Sequence, residues 1–312
     1  MVETVAVIGA TGAQGGSVVK ALSALPDKYK VRGITRDASS PRVQKLKAQY
    51  PNVDWVSANL NSQSSLEAAF ANADIVFGNT SFLDPEIIAK VDAGDKEAEV
   101  RQGKHMVDAA VAQGVKHIVY SSLLSPKEVS GGRITAATES EGKHEIEMYI
   151  RSLSDKIKGY FVYPAFYFQN LLYVAKWEET ADGERQVVFT YPLPENSRQP
   201  YVDIEEDMGN TVELVLSDRA RFEGQGIAAS QGFYSGGEIA EAYTRATGVK
   251  AVYRYGKIPE FDREDINAMM QFYVEYEDAL KVGDDIARNG APRAFVDADG
   301  FWKRYASFRP EN

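Results

Sequence analysis

The 312-residue chain is 44 % hydrophobic and 26 % charged, carries a formal net charge of −10 and contains no cysteine. That balance supports a large buried core, in one α/β domain or in two smaller ones sharing a cleft. It excludes disulfides, thiolate metal sites and cysteine nucleophiles, and it lacks the basic footprint of direct nucleic-acid binding.

An apolar run begins at residue 4, which leaves no room for a signal peptide, and no stretch is long and apolar enough to cross a membrane. A cytoplasmic or nuclear location without membrane attachment is therefore expected. Short β-branched runs then alternate with longer periodic ones. TVAVIG (4–9), KVRGIT (30–35), VDWVSA (53–58), ADIVFG (73–78) and KHIVYSS (116–122) read as strands. Their near-continuous hydrophobicity suits strands covered on both faces. Helices are predicted over 13–25, 40–50, 62–72 and about 95–113, with Ser62 and Ser64 capping LEAAF. The alternation predicts an α/β fold with a doubly wound parallel sheet.

Beyond GYFVYP the character changes. Prolines and aromatics gather in 161–201, which reads as loop-rich, cleft-forming chain. Helical patterns return at 205–217 and 236–247, strands at GIAAS and VYRYG, and one long acidic helix is predicted over 263–288. The boundary is placed after residue 163. Residues 1–163 form a nucleotide-binding domain and 164–312 a smaller α/β lobe for substrate or partner, with crossings between them.

Gly9, Gly12 and Gly15 form Gly-x-x-Gly-x-x-Gly between the first strand and its helix, with a second strand following. In that setting the first glycine permits a tight turn and the second lets backbone N–H groups approach a pyrophosphate. The third lets the helix pack closely on the sheet. The second strand ends in GITRD, with Thr35 and Arg36 where an NAD site carries an acid. A guanidinium there suits a 2′-phosphate, so NADP(H) is expected over NAD(H), although Asp37 alongside pulls the other way.

GATGAQGGSVVKAL, VRGITRD, EVRQGKHMVDAAVAQGVKHIVYSSL, EGKHEIEMYIR and YPAFYFQNLL resemble the NmrA-like family of atypical short-chain dehydrogenase/reductases, as does PYVDIEEDMGNTV. The resemblance implies a Rossmann domain with a small α/β lobe and an NADP(H) site. Carried onto matching positions, Gly9, Ala10, Thr11, Gly12, Ala13 and Gln14 would wrap the pyrophosphate, with Gly15 completing the cofactor-binding turn. Thr35 and Arg36 would meet the 2′-phosphate, and Asn79 and Thr80 would lie along adenine or ribose. Arg101 would reach the cofactor and Lys143 the nicotinamide ribose. Tyr167, Phe168, Gln169 and Asn170 would line the nicotinamide end. Read without the resemblance, Arg101 and Lys143 are solvated helix charges.

A short-chain dehydrogenase of the usual kind needs a tyrosine four residues before its lysine, so that the lysine lowers the phenol's pKa. Glu139 stands there instead. Two functions follow. One is a redox sensor or regulator whose cofactor occupancy orders the loop 123–142 and alters a protein partner's surface, with the acidic helix as the partner face. The other is an NADPH-dependent oxidoreductase acting on a small carbonyl, imine or activated alkene, with Lys143, Tyr167 or Tyr163 as proton donor. The three histidines, His105, His117 and His144, have no ligand spacing, so no metal site is expected. Ser121 and Ser122 end a strand where such folds face the nicotinamide, but a strand-end role explains them as well. Asp203 and Asp207 read as helix-capping carboxylates. Tyr163, Phe166, Tyr167 and Phe168 suit either core or cleft lining.

Overall fold

The computed structural model describes residues 1–311. The chain divides into two compact units. The first comprises Met1–Ser125, Thr138–Tyr163 and Met208–Ile227, and the second Pro126–Ala137, Pro164–Asp207 and Ala228 onward.

The first unit is built on β1 (Glu3–Val7), β2 (Tyr29–Thr35), β3 (Asp54–Ser57), β4 (Ile75–Gly78), β5 (His117–Ser121) and β6 (Lys158–Pro164). With the strand Gly226–Ala229 at the far edge, the seven-stranded sheet runs Gly226–Ala229, β6, β5, β4, β1, β2, β3. The pairings of β1 with β2 and β4, β2 with β3, β4 with β5 and β5 with β6 are all parallel. This is the Rossmann order, and the predicted doubly wound sheet is present. The strand order reverses between β1 and β4, the place where open α/β sheets bind ligands beyond their strand ends.

Helices α1 (Ala13–Ser23), α2 (Pro41–Gln49), α3 (Gln63–Phe70), α4 (Pro85–Asp92) and α5 (Ala98–Ala112) link the first five strands, and Thr138–Ser152 precedes β6. Their starts are written locally. Ser40 and Ser62 accept N–H bonds from Val43 and Ser65 at the heads of α2 and α3, and Asp84 accepts from Glu86 at the head of α4. Ser64 lies inside the first turn of α3, with its hydroxyl 3.3 Å from that of Ser62. One face of the sheet buries Ile8, Ile34, Val76, Ile118 and Phe161 with Leu66, Phe70, Met106, Ile146 and Ile150 of the helices.

The second unit corrects two expectations. The stretch 161–201 is not mainly loop: Ala175–Glu179 and Arg185–Tyr191 pair antiparallel, and Ala251–Tyr255 extends them in parallel. Phe166–Tyr167, Gln199–Val202 and Gly232–Tyr234 form a second small sheet. Several of the aromatics that suggested loops face the core from these strands; Phe189 packs edge-on to Tyr243 and tilted against Trp302, at 5.4 and 5.5 Å between ring centres. The acidic stretch 263–288 is also not one helix. Glu264–Glu275 ends at Tyr276, a 3₁₀ turn follows over Glu277–Lys281, and Gly283 takes φ +59 before Asp284–Gly290. A left-handed residue cannot continue a right-handed helix, so the acidic periodicity is divided.

Candidate functional site

The turn after β1 is shaped by what a side chain would strike. Gly9 takes φ +65, and its carbonyl accepts the N–H of Gly12 at 2.8 Å. A Cβ on Gly15 would lie 2.3 Å from the Gly9 oxygen, so only glycine lets the first turn of α1 sit against the strand end. Gly12 is the N-cap and offers no side chain to the helix's free N–H groups. Gly12 and Ala13 are exposed, so the positive end of the helix dipole reaches the surface there. Asn79, immediately after β4, lies on the other side of the turn. Its Nδ2 is 3.9 Å from where a Gly9 Cβ would be, and its buried Oδ1 has no hydrogen-bond partner among the described residues.

Thr35 closes β2 half-buried, and its carbonyl accepts the N–H of Ala58. Arg36 follows with its side chain 80 % exposed, and one guanidinium nitrogen lies 2.9 Å from Oδ2 of Asp84. Asp37 turns to the N–H and hydroxyl of Ser39, which hold its carboxyl below the usual range.

Lys143 is not solvated. It is 6 % exposed, and its ammonium donates to Oε1 of Glu99 at 2.7 Å and to the Thr80 carbonyl at 3.0 Å. The Thr80 hydroxyl lies 3.2 Å from the phenol of Tyr120. Burial first, and the Glu99 charge second, push that phenol well above its ordinary value. The reason for the burial is helical spacing. Lys143 shares the inward stripe of Ile146 and Ile150, and Glu99 the stripe of Met106 and Ala110. Gly103 brings the two helices together, because a Cβ there would meet Ile146 at 2.3 Å. Ser122 secures the same helix through its hydroxyl, 3.3 Å from the Lys143 carbonyl, while Ser121 is buried within β5.

Tyr163 donates to buried Glu147 at 3.1 Å, and Arg151 holds the same carboxylate at 2.7 and 2.9 Å. Desolvation and the neighbouring Glu147 charge push the Tyr163 phenol up. A short-chain dehydrogenase needs the opposite shift. Arg101 is exposed as expected, but Asp95 takes its guanidinium. Among the described residues, no hydrogen bond or ion pair joins it to the glycine turn.

In the second unit, Phe168 is fully buried, stacked on Tyr201 and Phe301 at 5.2 and 5.3 Å, so it is core rather than lining. Gln169 is also committed. Its Nε2 donates to Asp203 at 2.7 Å, and its Oε1 accepts the N–H of Ile204, so the amide caps the helix Ile204–Ser217. Asn170 bonds the Tyr191 phenol, and Tyr167 stays half-buried beside Val202 in the small sheet. Asp203 is additionally held by Arg304 at 2.9 Å. Asp207 accepts N–H bonds from Val296 and Asp203, the second being a capping bond. Within the loop 123–142, Arg133 donates to the Tyr276 phenol at 3.0 Å and pairs with Glu275, so the acidic stretch already holds part of it.

Sequence reasoning missed Glu99, Asp84 and Glu147. Each carried one usable signal: Glu99 and Glu147 lie on buried helical stripes, and Asp84 precedes a proline in a capping position.

The model of the NmrA-like family matches residues 1–306. The NmrA-like family domain-containing oxidoreductase ptmS of Penicillium ochrochloron is 30 % identical over 257 residues, covering 80 % of this chain and 75 % of its own. Its counterpart cpsB of Aspergillus campestris is 33 % identical over 264 residues, covering 80 % and 74 %. The crystal structure of NmrA, a negative transcriptional regulator, in complex with NADP has the same fold. It matches with TM-score 0.79 at 23 % identity over 98 % of this chain and 96 % of that one.

Proposed function

The chain belongs to the NmrA-like family, and on that premise we propose that it binds NADP(H) and acts as a redox-responsive regulator of a protein partner. The residues at the switch point fit a dinucleotide. The Gly9–Gly15 turn leads into a helix start that Gly12 leaves without a side-chain cap, as a pyrophosphate-binding turn requires. The unpartnered Oδ1 of Asn79 offers an acceptor beside them. Arg36 lies at the end of β2 where a 2′-phosphate would be read. In this reading Thr11, Ala10, Ala13 and Gln14 complete the pyrophosphate wrap, and Thr35 and Thr80 flank the adenosine half. NADPH, when bound, supplies a hydride equivalent.

What carries the regulator reading is the engagement of Lys143. Its ammonium is spent on Glu99 and Thr80. Reaching a nicotinamide ribose or a substrate would mean giving up one of these partners inside a buried site. Tyr163 stands beside a carboxylate that makes it a weaker acid. Lys143 and Tyr163 therefore hold their protons in place rather than poise one for transfer.

The oxidoreductase reading is kept by one observation, that relatives at 30–33 % identity are named oxidoreductases. Calorimetric titration with NADP⁺, NADPH and NAD⁺, followed by NADPH oxidation across quinones, aldehydes and imines, separates the two. Binding without turnover is expected. Turnover that disappears in Lys143→Met would install the oxidoreductase in its place.

A further inference from the structure

The sheet order puts β4 and β2 on either side of β1. Arg36 is the first residue after β2, and Asp84 heads α4 shortly after β4. Their ion pair at 2.9 Å therefore spans from one neighbour of β1 to the other, at the strand ends where the Gly9 turn lies. Asp84 does this with Oδ2 while its Oδ1 accepts the N–H of Glu86 as the helix cap. That cap fixes the carboxylate in position. Arg36, by contrast, has Asp84 as its one side-chain partner among the described residues and is largely in solvent.

We infer that Asp84 is a built-in competitor for the dinucleotide's 2′-phosphate, and so sets how strongly this site prefers NADP(H) over NAD(H). The inference rests on the NADP(H) reading above. In the free protein the carboxylate occupies part of the guanidinium that the phosphate must claim. It also stands as a fixed negative charge near an incoming one. A 2′-hydroxyl brings no anion, so it neither displaces Asp84 from Arg36 nor suffers the same repulsion. Asp84 thus lowers NADP(H) affinity more than NAD(H) affinity. Exposed ion pairs are modest in strength, so the effect is a tuning of the preference and not an on–off gate.

Calorimetric titration of the full chain with NADP⁺, NAD⁺ and adenosine 2′,5′-bisphosphate tests this in wild type, Asp84→Asn and Asp84→Ser. Both replacements keep a capping acceptor, so α4 retains its start, and circular dichroism verifies the fold. The ratio of NAD⁺ to NADP⁺ dissociation constants should rise about three- to tenfold in both variants. The bisphosphate should tighten in parallel and NAD⁺ change little. A ratio that stays level or falls, with wild type still binding NADP⁺, overturns the competitor role and leaves the cofactor reading standing. Wild type that binds none of the three compounds defeats the cofactor reading and the competitor with it.

Discussion

Two polar regions of the first unit are built in opposite ways. At the glycine turn, polar groups are left open: Gly12 offers no capping side chain to the helix N–H groups, and the Asn79 Oδ1 acceptor has no hydrogen-bond partner among the described residues. Around Lys143, each donor is met from within: Glu99, the Thr80 carbonyl and the Thr80 hydroxyl surround one ammonium. An open set of backbone donors costs little where solvent can reach it and is ready for an anion. Breaking a closed pair in the interior leaves an uncompensated buried charge, so recruiting it for other chemistry is expensive. The contrast separates a helix start left without a side-chain cap from an ammonium already engaged by its own neighbours.

The largest effect should come from opening the closed region. Glu99→Ala leaves a buried, uncompensated lysine, and urea unfolding should show a loss of about 3–5 kcal/mol. Lys143→Met combined with Glu99→Leu should recover most of it. A double variant as unstable as Glu99→Ala would mean that packing, not charge, dominates there. Closing the open region comes next. Gly15→Ala drives a Cβ into the Gly9 carbonyl. It should destabilise by about 1–3 kcal/mol and weaken NADPH binding at least about tenfold, because the turn cannot keep its shape. Unchanged NADPH affinity in that variant would take the turn out of the binding site.

The smallest effect concerns a buried carboxylate held mainly by backbone rather than by a lysine. Burial pushes the Asp207 carboxyl up to about 8, with the N–H groups of Val296 and Asp203 pulling the other way. An unfolded aspartate titrates near pH 4. Between roughly pH 4 and 8 the folded chain therefore holds a proton that the unfolded chain has lost. Stability should be fully present below that window and fall as pH rises through it. In Asp207→Asn the decline between pH 5 and 8 should shrink by at least about 1 kcal/mol. Parallel pH profiles for variant and wild type would show that Asp207 does not hold the extra proton.

The regions also differ in how far they can be read in advance. The glycine turn is a local device: Gly9, Gly12 and Gly15 are constrained by their neighbours along the chain, so their spacing between a strand and a helix picks them out. Ser40, Ser62 and Asp84 are local in the same sense, each accepting from an N–H within three residues. Phe168 and Gln169 were harder. YFQN places them in sequence beside Tyr167, but one is drawn into an aromatic stack and the other into a helix cap. Only the partners Tyr201, Phe301, Asp203 and Ile204 reveal this. The acidic stretch misled for the reverse reason. Its charge periodicity is helical throughout, while the backbone break depends on Gly283 and on where Tyr276 packs.

From the sequence by itself came the parallel α/β alternation, the glycine turn after the first strand and the lack of a tyrosine before Lys143, since each is written in residues a few positions apart. Tertiary structure alone decided that Lys143 is buried against a residue 44 positions away, and that Arg36 is held by one 48 positions away. A charge enters the interior, or stays out of it, according to which helix face packs against which. That choice is made by the shape and burial of the whole unit, not by the charge's neighbours in the chain.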